Sequence, residues 1–236
     1  LTEERIETAS TYDAGTTTQL MWGARSDVGC VRPHNEDSYL VQSPLFCVCD
    51  GMGGHAAGEV ASSIAVETIA KTAPQSADAA RLAAAVEAAN AAVIEAALNG
   101  LGKPGMGCTA TCAYIENDTF AIAHVGDSRA YLLHEGTLIR VTRDHSYVEE
   151  LVDAGEITAD EARVHPNRSV ITRALGSDPA MYADHFTLHI EEGDRLILCS
   201  DGLSSMIPDS DIENIATQSS TAQICVDNLV DAALAA

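Results

Sequence analysis

Between Thr109 and Val141 four short apolar runs, Thr109–Ile115, Phe120–His124, Ala130–Leu133 and Leu138–Val141, follow one another with almost no chain between them. The links are built on Glu116-Asn117-Asp118, Gly126-Asp127-Ser128 and His134-Glu135-Gly136, all turn chemistry. A parallel crossover needs a dozen or more residues, so runs this closely spaced can only pair antiparallel. Further strands are predicted at Gln19–Ala24, Tyr39–Val41, Phe46–Cys49, Phe186–Ile190 and Arg195–Cys199, with Ser43-Pro44 as a turn between the second and third.

Helices are predicted in separate blocks. Gly58–Lys71 carries Val60, Ile64 and Ile69 at helical spacing. A second, alanine-rich helix is capped by Ser76 or Asp78 and stops near Asn99-Gly100. A mixed segment from Asp144 to Asp178 holds helix signals at Val148–Asp153 and Thr158–Arg163, and two helices follow at Asp209–Thr217 and Thr221–Ala235. Runs of strands and runs of helices, rather than strict alternation, indicate an α+β fold with antiparallel sheets.

The 236 residues, 46% apolar and 20% charged, suffice for one globular domain with a buried core. Residues 1–18 are polar and threonine-rich and read as a flexible leader, an edge strand being the alternative; residues 19–236 read as the domain. The 35 acids exceed the 13 bases by 22, a charge that repels phosphate backbones and excludes nucleic acid as a bulk partner. No apolar window is long enough for a membrane span, and Glu3, Glu4 and Glu7 occupy the place of a signal peptide's basic and apolar regions. The seven cysteines are irregularly spaced and mostly lie in apolar runs, which suits reduced core thiols and a cytoplasmic location rather than a zinc site; a monomer is expected.

Four acidic motifs carry the chemistry: Asn35-Glu36-Asp37, with Arg32 four residues before Glu36; Asp50-Gly51-Met52-Gly53-Gly54-His55; Val125-Gly126-Asp127-Ser128-Arg129; and Ser200-Asp201-Gly202-Leu203. Two of them place Asp-Gly directly after an apolar strand. A single Asp-Gly is an ordinary turn. Several acids converging from strand ends form an all-oxygen pocket, which suits Mg²⁺ or Mn²⁺. The glycine run lacks the lysine and Ser/Thr of a phosphate-binding P-loop and is led by an acid, so it favours cations.

These motifs, together with Gly105-Met106-Gly107-Cys108-Thr109 and Asp144-His145-Ser146, in this order resemble the metal-dependent type 2C protein Ser/Thr phosphatases, in the bacterial branch that partners Ser/Thr kinases. The resemblance spans residues 19–236. It implies a four-layer αββα sandwich of two antiparallel sheets and a centre of two Mn²⁺ or Mg²⁺ ions, with a third as an option. It implies that Asp50 bridges the two ions, Gly51 offers its carbonyl, Asp201 ligates, and Glu36 and Asp37 hold metal-bound waters. Asp127 matches the ligand of the third ion. Arg32 grips the substrate phosphate, and Asp144–Asp178 matches a flap used in substrate selection. The implied reaction is attack of a metal-activated water on phosphoserine or phosphothreonine in protein substrates, with Arg32, Asp50 and Asp37 as the catalytic residues.

Two departures stand out. Met52 replaces a histidine proposed as proton donor in some eukaryotic relatives; a metal-bound water is the first candidate for that role here and His55 the second, His55 reading otherwise as an anchor for the following helix. The family's further Asp-Asn metal motif and last strand are not found, and Asp227-Asn228 falls inside a predicted helix. That leaves a phosphoprotein-binding regulatory domain of weak activity as the alternative. A purely structural cation site would have no use for Arg32, unless that residue makes only a surface ion pair with Glu36.

Overall fold

The computed structural model describes residues 10–17, 20–54 and 57–236. The strands are β1 (Ser10–Thr16), β2 (Met21–Asp27), β3 (Asp37–Gln42), β4 (Leu45–Met52), β5 (Gly107–Cys108), β6 (Ala110–Glu116), β7 (Thr119–Val125), β8 (Arg129–His134), β9 (Thr137–Arg140), β10 (Asp184–His189) and β11 (Arg195–Cys199). The helices are α1 (Ala57–Thr72), α2 (Ala79–Leu98), α3 (Tyr147–Asp153), α4 (Ala159–Val164), α5 (Asp201–Ser204), α6 (Asp209–Gln218) and α7 (Ala222–Ala235). One sheet has the order β10-β7-β6-β4-β3, with β5 joined to β4; a second is β11-β8-β9; β1 and β2 form a separate ribbon. All of these pairs are antiparallel, as the short loops require.

Strand periodicity sorts the side chains into three apolar layers. Leu45, Cys47 and Cys49 of β4 and Ala121, Ala123 and Val125 of β7 face α1 and α2, where Ala61, Ala65, Leu82, Val86 and Ala89 are buried. Alanine at these helix positions lets the backbones lie close to the sheet. The alternate residues Phe120 and Ile122 of β7 meet Leu132 of β8 and Leu196 and Leu198 of β11 between the two sheets. Tyr131, Leu133, Ile197 and Cys199 point outward again, onto Ile212 and Ala216 of α6 and Cys225 and Leu229 of α7. Helices, sheet, sheet and helices therefore stack as the expected αββα sandwich.

Helix starts follow the caps written in the sequence. Asp78, rather than Ser76, caps α2; Ser146 and Thr221 cap α3 and α7; Thr158 and Glu161 form a capping box on α4. Three expectations need correction. Ser10–Thr16 is not a leader: it is paired along its length with β2, Gly15 opposite Trp22. The glycine leaves room for the indole, because a Cβ there would lie 2.1 Å from Trp22. The strand lacks apolar alternation because both of its faces are largely exposed. Second, β4 does not end at Cys49 but runs through Asp50 and Gly51 to Met52, held there by β3 and β5. Third, Asp201 opens the short helix α5 instead of a plain turn. Residues 1–9 and Gln19 lie outside the described residues. Among the described residues no helix is long and apolar enough to cross a membrane.

Candidate metal centre

The β3–β4 pair sets Asp37 directly opposite Asp50. Phe46 and Val48 share Asp50's face of the strand, so the carboxylate points between the sheets and toward their open end. Asp50 is held at its backbone: its N–H donates to Thr109 Oγ1 at 2.9 Å and its C=O accepts from Thr109 N at 2.9 Å. Gly51 N–H donates to the Glu36 carbonyl at 3.0 Å. No other residue fits at position 51, since a Cβ would sit 2.1 Å from the Gly58 carbonyl oxygen. The glycine thus serves close packing against α1.

From the other sheet, β11 ends at Cys199 and hands over to Ser200 and Asp201. Ser200 Oγ donates to Asp37 Oδ2 at 2.9 Å, tying the two sheets together at the site. The Asp50 carboxyl lies against those of both Asp37 and Asp201. Burial first, then the charges of Asp37 and Asp201, push the Asp50 carboxyl far above the usual carboxylate range. Burial also raises Asp37, with Asp201 adding to it, despite the opposing effects of the Asp50 carboxyl and the Ser200 hydrogen bond. Asp127, from the β7–β8 loop, is pushed up to about 7 by burial and then by Asp201 and Asp144. Its Oδ1 is buried with no hydrogen-bond partner among the described residues. Several crowded acids that raise one another's pKa, one with an orphaned oxygen, gain most from a divalent cation. The donors are oxygens throughout, so a hard cation fits.

The predicted residues thus separate into groups. Asp37, Asp50, Asp127 and Asp201 are brought together. Glu36 and Arg32 pair with each other, Arg32 NH1 lying 2.8 Å from Glu36 Oε2, with the arginine side chain 65% exposed at the rim. The surface ion pair therefore exists, and it also stations the guanidinium beside the acids. These residues line a cleft of about 1450 Å³. Asp227 does not join them: it lies on α7, where Gln223 donates to it at 3.1 Å and Arg25 is 3.9 Å away. Met52 ends β4, and His55 lies outside the described residues. Sequence reasoning missed the supporting groups Thr109, Ser128, Ser200 and the Arg129–Asp144 pair. Thr109 Oγ1 is 2.7 Å from Ser128 Oγ, and Arg129 holds Asp144 through Nε and NH2 at 3.0 and 2.8 Å. The one available signal was their place inside the quoted motifs.

Residues 23–236 match the family model described as Protein phosphatase 2C. The chain belongs to the protein phosphatase 2C family. The serine/threonine protein phosphatase PstP of Mycobacterium tuberculosis is 42% identical over 205 residues, 84% of this chain and 39% of that protein. The chain therefore spans well under half the length of that relative. The serine/threonine phosphatase stp of Listeria welshimeri is 38% identical over 203 residues, 81% of each chain. Among solved structures, the Mycobacterium tuberculosis phosphatase PstP/Ppp superposes with a TM-score of 0.84 at 37% identity, covering 96% of this chain and 92% of that one. The catalytic domain of PstP in complex with two manganese ions gives 0.82 at 35% identity, with the same coverage. This phosphatase 2C chain thus shares its sandwich with bacterial Ser/Thr phosphatases.

Proposed function

We propose that this chain hydrolyses phosphoserine and phosphothreonine in protein substrates, using two Mn²⁺ or Mg²⁺ ions. The observation that carries this reading is the crowded, half-buried set Asp37, Asp50 and Asp201, with the buried, orphaned oxygen of Asp127 beside it, in a cleft rimmed by Arg32. Asp50 and Asp201 would hold the two ions, with the Gly51 carbonyl on one and Glu36 and Asp37 acting through water; Asp127 would hold a third. Bound there, the ions supply an acidified water at neutral pH and offset charge on the phosphoryl oxygens. The chain's own residues do the rest. Arg32 spends one donor on Glu36, which leaves other N–H groups of its fork for the phosphoryl oxygens. Ser200 orients Asp37. Met52 has no proton to give, so the departing alkoxide would draw on water in the cleft.

The reading extends to a cytoplasmic monomer that opposes a Ser/Thr protein kinase. Support for the compartment comes from seven unpaired cysteines, six of them buried. Asp227's position on α7 supports the expectation that the family's Asp-Asn carboxylate is not among these residues. Turnover of a phosphothreonine peptide and of p-nitrophenyl phosphate, with Mn²⁺, with Mg²⁺ and with EDTA, tests the proposal. Metal-dependent hydrolysis lost in Asp50→Asn is the expected result. A folded chain inert with every metal would overturn it and favour a phosphoprotein-binding role.

A further inference from the structure

The loop that carries Asp127 is pinned from two sides. On one side is Thr109: Ser128 Oγ lies 2.7 Å from its hydroxyl, and a Cβ on Gly126, where φ is +107°, would come 2.6 Å from its Cγ2. On the other side is His145, at the base of the Asp144–Asp178 segment. His145 N–H donates to the Gly126 carbonyl at 2.8 Å, and Gly126 N–H donates back to His145 Nδ1 at 3.0 Å. A ring nitrogen that accepts from an amide carries no proton, so the proton sits on Nε2. That N–H donates to Asp184 Oδ2 at 2.8 Å, and Arg173 donates to Asp184 Oδ1 at 2.8 Å. Burial, outweighing the pull of Asp184, keeps His145 below its ordinary pKa and therefore neutral. Its carbonyl accepts from Thr172 N at 2.9 Å, and Ser146 bridges Ile171, so both ends of the Asp144–Asp178 segment meet here.

We propose that His145 is a positioning residue for Asp127: its Nδ1, aimed by Asp184 and Arg173, clamps the Gly126 amide and so holds the next residue's carboxylate where it binds a divalent cation. This rests on the reading of Asp127 as a cation ligand. The clamp needs an acceptor at Nδ1, so two amide substitutions separate its parts. Asn can place its Oδ1 at the Nδ1 position and keep the Gly126 bond. Gln can place its amide at the Nε2 position, keeping Asp184 but losing the acceptor. Neither effect depends on charge.

The test is calorimetric titration of Mn²⁺ into the folded chain, checked by circular dichroism, for wild type, Asp127→Ala, His145→Gln, His145→Asn and the double variant Asp127→Ala/His145→Gln. Asp127→Ala should lose one Mn²⁺-binding event. His145→Gln should weaken that same event at least tenfold and leave the others within about threefold, while His145→Asn stays near wild type. In the Asp127→Ala background, His145→Gln should change nothing further. An unchanged titration in Asp127→Ala would overturn the ligand reading and the proposal together. A lost event in Asp127→Ala with wild-type binding in His145→Gln would overturn the His145 role alone, as would a further loss in the double variant. If His145→Gln does not fold, His145→Ala, which also removes the acceptor at Nδ1, carries the test: weaker binding of the Asp127-dependent ion supports the clamp, and wild-type binding overturns it.

Discussion

The same dipeptide, Asp-Gly, is used twice in this site and held in two different ways. Asp50-Gly51 lies inside β4, with β3 on one side and Thr109 and β5 on the other, and Gly51 is pressed against the Gly58 carbonyl. Asp201-Gly202 opens a four-residue helix at the end of β11, and a Cβ on Gly202 would meet only Ser200 Oγ, at 3.4 Å. The first carboxylate is set by a sheet interior and cannot relax without moving the sheet. The second is set by a short helix that has room around it. Backbone environment, not the dipeptide, decides how rigid a ligand is and what its glycine is for.

The sharpest way to break this contrast is at the acids. Asp50→Asn should lower kcat by about 10³-fold or more, roughly 4 kcal/mol of transition-state stabilisation, and abolish tight Mn²⁺ binding in calorimetry. Asp201→Asn should retain one ion and a measurable rate at high Mn²⁺. Equal losses in both would remove the distinction. The glycines come next. Gly51→Ala forces a backbone contact that cannot yield and should destabilise by about 4 kcal/mol or prevent folding. Gly202→Ala, in a helix with space for a methyl group, should change stability by less than about 1 kcal/mol, read from urea midpoints.

The rigid half also carries a pH signature. His124 on β7 is buried, bonded to Thr111 Oγ1 and to the Arg143 carbonyl. Burial, with His145 adding to it, lowers its pKa to about 4. A folded pKa below the unfolded value means that the unfolded chain binds the extra proton. Stability from this group is full above about pH 6.5 and is lost as pH falls toward 4, by about 3 kcal/mol in all. Comparing wild type with His124→Gln should show a flatter pH dependence of the urea midpoint in the variant over that window; identical slopes would place the acid sensitivity elsewhere. The rim gives a smaller effect than the acids. Arg32→Ala should raise KM for a phosphopeptide by about tenfold, roughly 1.4 kcal/mol, with Mn²⁺ affinity little changed. Loss of metal binding as the main effect would make the Arg32–Glu36 pair structural.

What could be read from the chain alone was local. Short loops between Thr109 and Val141 demanded antiparallel neighbours, and Asp78, Thr158 and Thr221 marked helix starts, because turns and caps are settled within a few residues. The acidic motifs were legible for the same reason, as was the misfit of Asp227-Asn228 inside a helix. The polar strand Ser10–Thr16 escaped because it is defined by its partner β2 and by Trp22 over Gly15, not by its own pattern. Tertiary structure alone decided which acids meet. Ser200 reaches Asp37 across 163 residues of chain, and His145 clamps Gly126 from the next segment. It also decided that Asp50 is half-buried and Asp127 buried among like charges, with one oxygen of Asp127 unpartnered. Desolvation and charge crowding depend on what surrounds a group in space, and residues distant in sequence supply those surroundings only when the two sheets close on each other.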